Sequence, residues 1–125
     1  MQLSKHFSRA ELACKHCGRI GPYPQRLKKL LALLEKIRGG VGKPVRVTSG
    51  YRCPDHNREV GGVSNSYHML DMAADIYVPG MKLQDLARIA EKAGAGGIGV
   101  YSYSGFVHVD IGPWARWTQA EGARR

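Results

Sequence analysis

Apolar positions recur along this chain with two periods, and the changes from one to the other mark its elements. Behind Pro24, the residues Leu27, Leu30, Leu31, Leu34 and Ile37 return at helical spacing, while Lys28, Lys29, Glu35 and Lys36 fall mainly on the other faces. The pattern predicts a long amphipathic helix with a buried stripe, stopped at Gly39-Gly40. Ahead of it, Ser8-x-x-Glu11 spells a capping box that opens a short helix toward Cys14. Pro44-Val45-Arg46-Val47-Thr48 alternates and reads as a strand, and residues 73–78 read as a second. Leu83, Leu86, Ala87 and Ala90 mark a second amphipathic helix that ends near Gly94. Two more strands follow, around 98–102 and 106–111, joined by a tight turn at Ser104-Gly105.

Between the first two strands, residues 50–66 (GYRCPDHNREVGGVSNS) are rich in Gly, Asn, Pro and Ser and read as a long irregular loop. Loops of that length inside a compact domain are usually functional. The order of helices, strand, loop, strand, helix and hairpin predicts an α+β fold, with a mostly antiparallel sheet flanked by helices.

Composition narrows the picture. With 125 residues, 43% of them apolar, one modest core and a single domain over 1–125 are expected. No run approaches the ~18 apolar residues that span a bilayer. The opening MQLSKHFSRAEL has no apolar central stretch, so no signal peptide is expected. The chain reads as soluble and starting near its natural start, or as a secreted form already freed of its leader. A formal net charge of +9 predicts attraction to polyanions. Nucleic acid, anionic membrane and anionic cell-wall polymers all qualify, as does a basic surface kept for solubility. No recognition-helix or aromatic-strand pattern accompanies the charge, so no nucleic-acid partner is expected.

Two groups of residues suggest metal chemistry. Cys14-x-x-Cys17 followed by Cys53-x-x-His56 spells two ligand pairs spaced as in a structural zinc site, and three cysteines cannot all pair internally. The alternatives are plain thiols or one disulfide. The second group is His68, Asp75 seven residues on, and His108. His108 lies in Phe106-Val107-His108-Val109-Asp110, a segment otherwise suited to burial, and a buried imidazole between valines needs a partner. Two imidazoles and a carboxylate supply three ligands and leave a fourth tetrahedral position for water, the arrangement of catalytic zinc.

At these residues the sequence resembles a known family. Ser66-Tyr67-His68-Met69-Leu70-Asp71-Met72-Ala73-Ala74-Asp75 resembles the S-x-H-x-x-G-x-A-x-D signature of the M15 zinc peptidases, which include D-Ala-D-Ala carboxypeptidases, dipeptidases and phage endolysins. The likeness extends over roughly residues 7–117, through Ser49-Gly50-Tyr51-Arg52, Asn57, Gly61-Gly62, the 96–101 stretch GGIGVY, residues 106–110 and Arg116-Trp117. It implies a hedgehog/D-Ala-D-Ala peptidase-like fold and zinc held by His68, Asp75 and His108. It further implies Arg52 beside the substrate carbonyl or carboxylate and Ser66 positioning substrate. Arg52 bracing its loop through a salt bridge is the alternative.

The pattern departs in two places. Asp71 stands where the family usually has Gly, and its side chain would crowd the metal loop or be solvated. Gly105 stands where many members carry the general base, three residues before the last histidine. Asp110 is then the leading carboxylate: two residues beyond His108 on a strand, it shares that residue's face. It reads either as general base or as acceptor fixing a ligand histidine, with Asp71 and Tyr101 as fallbacks.

The function expected is zinc-dependent hydrolysis of a peptide bond in peptidoglycan stem peptides by a monomeric carboxypeptidase or endopeptidase. The alternative is a catalytically silent zinc module that binds cell wall, favoured by the missing carboxylate before His108.

Overall fold

The computed structural model describes residues 1–61 and 66–119. Strands β1 (Arg46–Ser49), β2 (Ala73–Tyr77), β3 (Gly97–Tyr101), β4 (Phe106–Asp110) and β5 (Ala115–Thr118) form one sheet in the order β1-β2-β4-β3-β5. Neighbours are antiparallel except β3 and β5, which are parallel. The helices are α1 (Arg9–Leu12), α2 (Pro24–Val41), α3 (Pro54–Glu59) and α4 (Leu83–Ala93), with a 3-10 turn at Tyr67–Leu70. This is the α+β arrangement expected. Among the described residues, no helix is long and apolar enough to cross a membrane.

The capping box at Ser8 forms as spelled: the Ser8 hydroxyl accepts from Glu11 N–H, and the Glu11 carboxylate accepts from Ser8 N–H. α2 starts at Pro24 and buries the predicted stripe of Leu27, Leu30, Leu31, Leu34 and Ile37. It does not stop at Gly39-Gly40. Both glycines lie inside the helix, which ends at Gly42, in the left-handed region at φ 77°. Burying each large aliphatic side chain contributes ~1.5–3 kcal/mol, against ~1 kcal/mol for a helical glycine. Tertiary packing therefore carries the helix through the pair.

Three other expectations change. The long loop holds α3, which starts where Cys53 caps and Pro54 takes the first turn. Residues 62–65, including Gly62 of the family-like stretch, lie outside the described residues. The β3–β4 connection is the four-residue turn 102–105, closed by Gly105 N–H on Tyr101 O at 2.7 Å. β5, too short to show a period of its own, is defined by pairing with β3.

Alternation along β2 and β4 sorts the sheet faces. Ala74, Ile76, Val107 and Val109 join the core with Leu30, Leu34, Ile37, Leu86 and Ala90. The intervening Asp75, His108 and Asp110 take the opposite face, yet they are buried too.

Candidate metal centre and active site

The pairing register assembles this site. Asp75 on β2 is the Cα partner of His108 on β4. An irregularity between Val47 and Ser49 brings Ser49 opposite Asp75 from the other side. His68 comes from the 3-10 turn, which Ser66 opens by accepting the His68 N–H on its hydroxyl at 3.2 Å. One ligand atom each of His68, Asp75 and His108 falls within 4.8 Å of the others. All three side chains are buried.

Each ring is held at its outer nitrogen. His68 Nδ1 lies 2.8 Å from Gly50 O, an acceptor only, so Nδ1 carries the proton and Nε2 the lone pair. Nε2 lies 3.2 Å from Asp75 Oδ1. His108 Nε2 lies 2.7 Å from Asp110 Oδ2, and Nδ1 lies 3.3 Å from Asp75 Oδ1. Among the described residues, His68 Nε2 and Asp75 Oδ1 are buried with no hydrogen-bond partner. Leaving such a group unsatisfied costs ~1–3 kcal/mol. Two adjacent orphans, both electron-pair donors, fit a cation between them, and the N/N/O donor set suits zinc.

The electrostatics agree with that fit. Burial pushes the His68 imidazole below its usual pKa, and Asp75 only partly opposes it. Burial acts to raise Asp75, but the two histidines outweigh it and hold the carboxyl well below the usual range. Burial acts to lower His108, and the Asp110 and Asp75 carboxylates reverse the sign and raise it.

Arg52 is buried and its fork is fixed: Nε donates to Ser49 Oγ at 3.3 Å, Nη1 to Asn57 Oδ1 at 3.2 Å and Nη2 to Asp75 Oδ2 at 3.3 Å. Arg52 and Asp75 line an open cleft of about 310 Å³, with His56 and Phe106 on its walls. A wider groove of about 530 Å³ runs past Ala87, Ile98 and Trp117 but holds none of the histidines. Ser66 is fully buried beneath the His68 turn.

Asp71 neither crowds this cluster nor is solvated. It sits at φ 58°, the one left-handed non-glycine among the described residues, which explains glycine at this position in the family pattern. Its carboxylate accepts Gly21 N–H at 3.2 Å and Tyr23 N–H at 3.0 Å. Tyr101 accepts from Trp117 Nε1 at 2.9 Å and stacks on Phe106. Asp110 shares the face of His108, as its spacing predicts, but meets the ring nitrogen turned away from Asp75. Its Oδ1 accepts from Gly97 N–H and Gly112 N–H, both at 2.9 Å. A side chain at position 97 would collide with this carboxylate.

The cysteine cluster forms as three sulfurs, with one histidine ring against Cys53. Cys14, Cys17 and Cys53 place their sulfurs within 4.8 Å of one another as free thiols. Hydrogen bonds from Arg19, backbone and side chain, bring Cys17 down to about 7. His56, expected as fourth member, is not among them. Its backbone N–H caps onto Cys53 Sγ at 3.5 Å, and its ring lines the cleft with Nδ1 3.8 Å from Glu59 Oε2. Residue i+3 of a cap lends its backbone, and its side chain leaves in another direction. His16, which spacing did not single out, places Nδ1 3.4 Å from Cys53 Sγ. The sequence signal was present in the interval Cys14-x-His16-Cys17.

Residues 5–110 match the peptidase M15 family profile, and the chain belongs to that family. It is 40% identical over 91 residues to the peptidoglycan L,D-endopeptidase MepK of Escherichia coli K12, covering 67% of this chain and 50% of that protein. It is 38% identical over 78 residues to the probable peptidoglycan L,D-endopeptidase MepK of Haemophilus influenzae, covering 58% and 42%. Against the zinc D-Ala-D-Ala carboxypeptidase of Streptomyces albus G, identity is 31% over 107 residues, covering 81% and 42%. The chain thus spans about half the length of the curated relatives it matches.

Proposed function

We propose that this protein is a monomeric, single-domain zinc peptidase that hydrolyses a peptide bond in peptidoglycan stem peptides. The carrying observation is the inward-facing pair of orphaned buried donors, His68 Nε2 and Asp75 Oδ1, with His108 Nδ1 beside them. Zinc held there supplies Lewis acidity, which polarises a carbonyl and lowers the pKa of water toward ~7. The relatives' names and the net charge of +9 support the substrate class, since the wall and its polymers are anionic.

The chain's own residues divide the remaining work. Gly50 O and Asp110 keep the protons of His68 and His108 on the outer nitrogens, so both lone pairs face inward. Arg52, braced by Ser49, Asn57 and Asp75, is a preorganised cation on the cleft wall for a stem-peptide carboxylate or a developing oxyanion. Ser66 orients His68 rather than touching substrate, given its complete burial. Asp110 is a positioning residue, since its oxygens are taken by His108 and two backbone N–H groups. His56, whose ring lines the cleft, is the group we assign to proton transfer.

The test is incubation of zinc-loaded protein with purified stem peptides and identification of products by mass, which also separates endopeptidase from carboxypeptidase. His56→Ala is expected to keep its zinc and lose ~10²–10⁴-fold in kcat. A wild-type protein that binds zinc and wall but cleaves no stem peptide would establish the silent-module reading instead.

A further inference from the structure

Three sulfurs converge where the peptidase reading has no use for them. We propose that Cys14, Cys17, Cys53 and His16 enclose a second, structural zinc ion that clamps the segment after α1 to the loop carrying Arg52.

The three sulfurs already lie within 4.8 Å of one another, and no disulfide joins them. His16 Nδ1 stands 3.4 Å from Cys53 Sγ, close to the edge length of a tetrahedron with ~2.3 Å zinc–sulfur and ~2.0 Å zinc–nitrogen bonds. The turn presenting three of these donors is tightly closed. Gly18 N–H donates to Cys14 O, and Cys14 N–H to Arg19 O, each at 2.8 Å, with Gly18 at φ 74°. Backbone donors point at the sulfurs as well: Cys53 N–H reaches Cys14 Sγ at 3.4 Å and His56 N–H reaches Cys53 Sγ at 3.5 Å. Such donors favour thiolate over thiol. Thiolates with one imidazole select zinc over the hard cations magnesium and calcium. The Cys₃His set is closed, leaving no position for water, so the ion is structural.

Its position gives it a task. Tyr51 N–H donates to Leu12 O at 2.9 Å, so α1 and the 50s loop already meet beside the sulfurs. Cys53 directly follows Arg52 and caps α3, whose Asn57 accepts from the Arg52 guanidinium. A metal on Cys53 therefore fixes both ends of the bracing around Arg52.

The two centres differ in donor chemistry, so one experiment separates them even if the peptidase reading fails. Full-length protein purified without chelator is expected to carry two zinc ions per chain. After exchange with cobalt(II), only the sulfur site gives intense thiolate-to-cobalt charge-transfer absorption in the near ultraviolet. Cys17→Ser, at a half-exposed position, should lose one metal and that band, whereas Asp75→Asn should lose one metal and keep it. His16→Ala should weaken the band and His56→Ala should leave it intact. If Cys17→Ser does not fold, a mercurial titration of wild type serves: zinc should leave in step with thiol modification, about one per three thiols. One zinc per chain without the band, or a Cys14–Cys53 disulfide in the purified protein, would overturn the proposal. A band insensitive to His16→Ala but lost in His56→Ala would overturn the assignment of His16.

Discussion

Asp75 and His108 are Cα partners across the β2–β4 pair, and Asp75 Oδ1 lies 3.3 Å from His108 Nδ1. The opposite oxygen of Asp75 receives Arg52 Nη2 at 3.3 Å. One carboxylate thus joins the proposed metal centre to the cationic wall of the cleft, and strand register sets the joint. A one-residue slip would send both side chains into the aliphatic core.

His68→Ala, Asp75→Ala and His108→Ala are each expected to lose zinc from this centre together with activity. Asp75→Ala should be the least stable, because it removes the carboxylate that Arg52 Nη2 reaches at 3.3 Å, with both side chains only 2% exposed. Removing one partner of a buried pair typically costs ~3–5 kcal/mol. Elemental analysis and urea denaturation of the three variants check both statements. Undiminished metal at this centre in any two of them would show the ligands misassigned.

Asp110→Asn separates the two roles open to that carboxylate. Positioning His108 predicts zinc affinity weaker by ~10–100-fold, with excess zinc restoring much of the rate. A general base would instead lose ~10²–10⁴-fold in kcat at saturating zinc. The first outcome is expected, measured as zinc dissociation constant and kcat in parallel. Gly97→Ala should resemble it, since the added methyl displaces the same carboxylate.

Asp71 offers a backbone test away from the metal centre. Both Asp71→Gly and Asp71→Ala give up the hydrogen bonds to Gly21 and Tyr23. Only alanine must also be forced to φ 58°, at ~1–2 kcal/mol. Asp71→Ala should therefore melt several degrees below Asp71→Gly; equal melting temperatures would contradict the left-handed assignment.

Glu35 makes stability depend on pH. Burial acts to raise its pKa, but Ser4 Oγ at 2.6 Å and His6 at 2.6–2.7 Å outweigh that and lower it. A lowered carboxylate stabilises the fold above its unfolded pKa, ~4.3, and that contribution fades as pH falls through the lower folded value. Glu35→Gln should melt a few degrees below wild type near neutral pH, with the gap closing in acid below about pH 4. A gap that stays constant with pH, read by calorimetry, would remove Glu35 from the account.

Sequence alone determined what depends on local pattern. The Leu27–Ile37 stripe specified α2, alternation specified β1, and Ser8-x-x-Glu11 specified the first cap, because backbone preference and face are properties of a few neighbouring residues. The spacing of His68, Asp75 and His108 and its family likeness singled out three residues that the fold brings together. Tertiary structure decided what depends on partners distant in the chain. β5 exists through β3, and α2 passes Gly39-Gly40 on the strength of its buried stripe. Asp110 meets the outer nitrogen of His108 instead of the cleft, and the ring of His16 rather than that of His56 meets Cys53 Sγ. Spacing assigns a side chain to a face, but which atom it meets is settled by the rotamers and backbone turns that non-local packing permits.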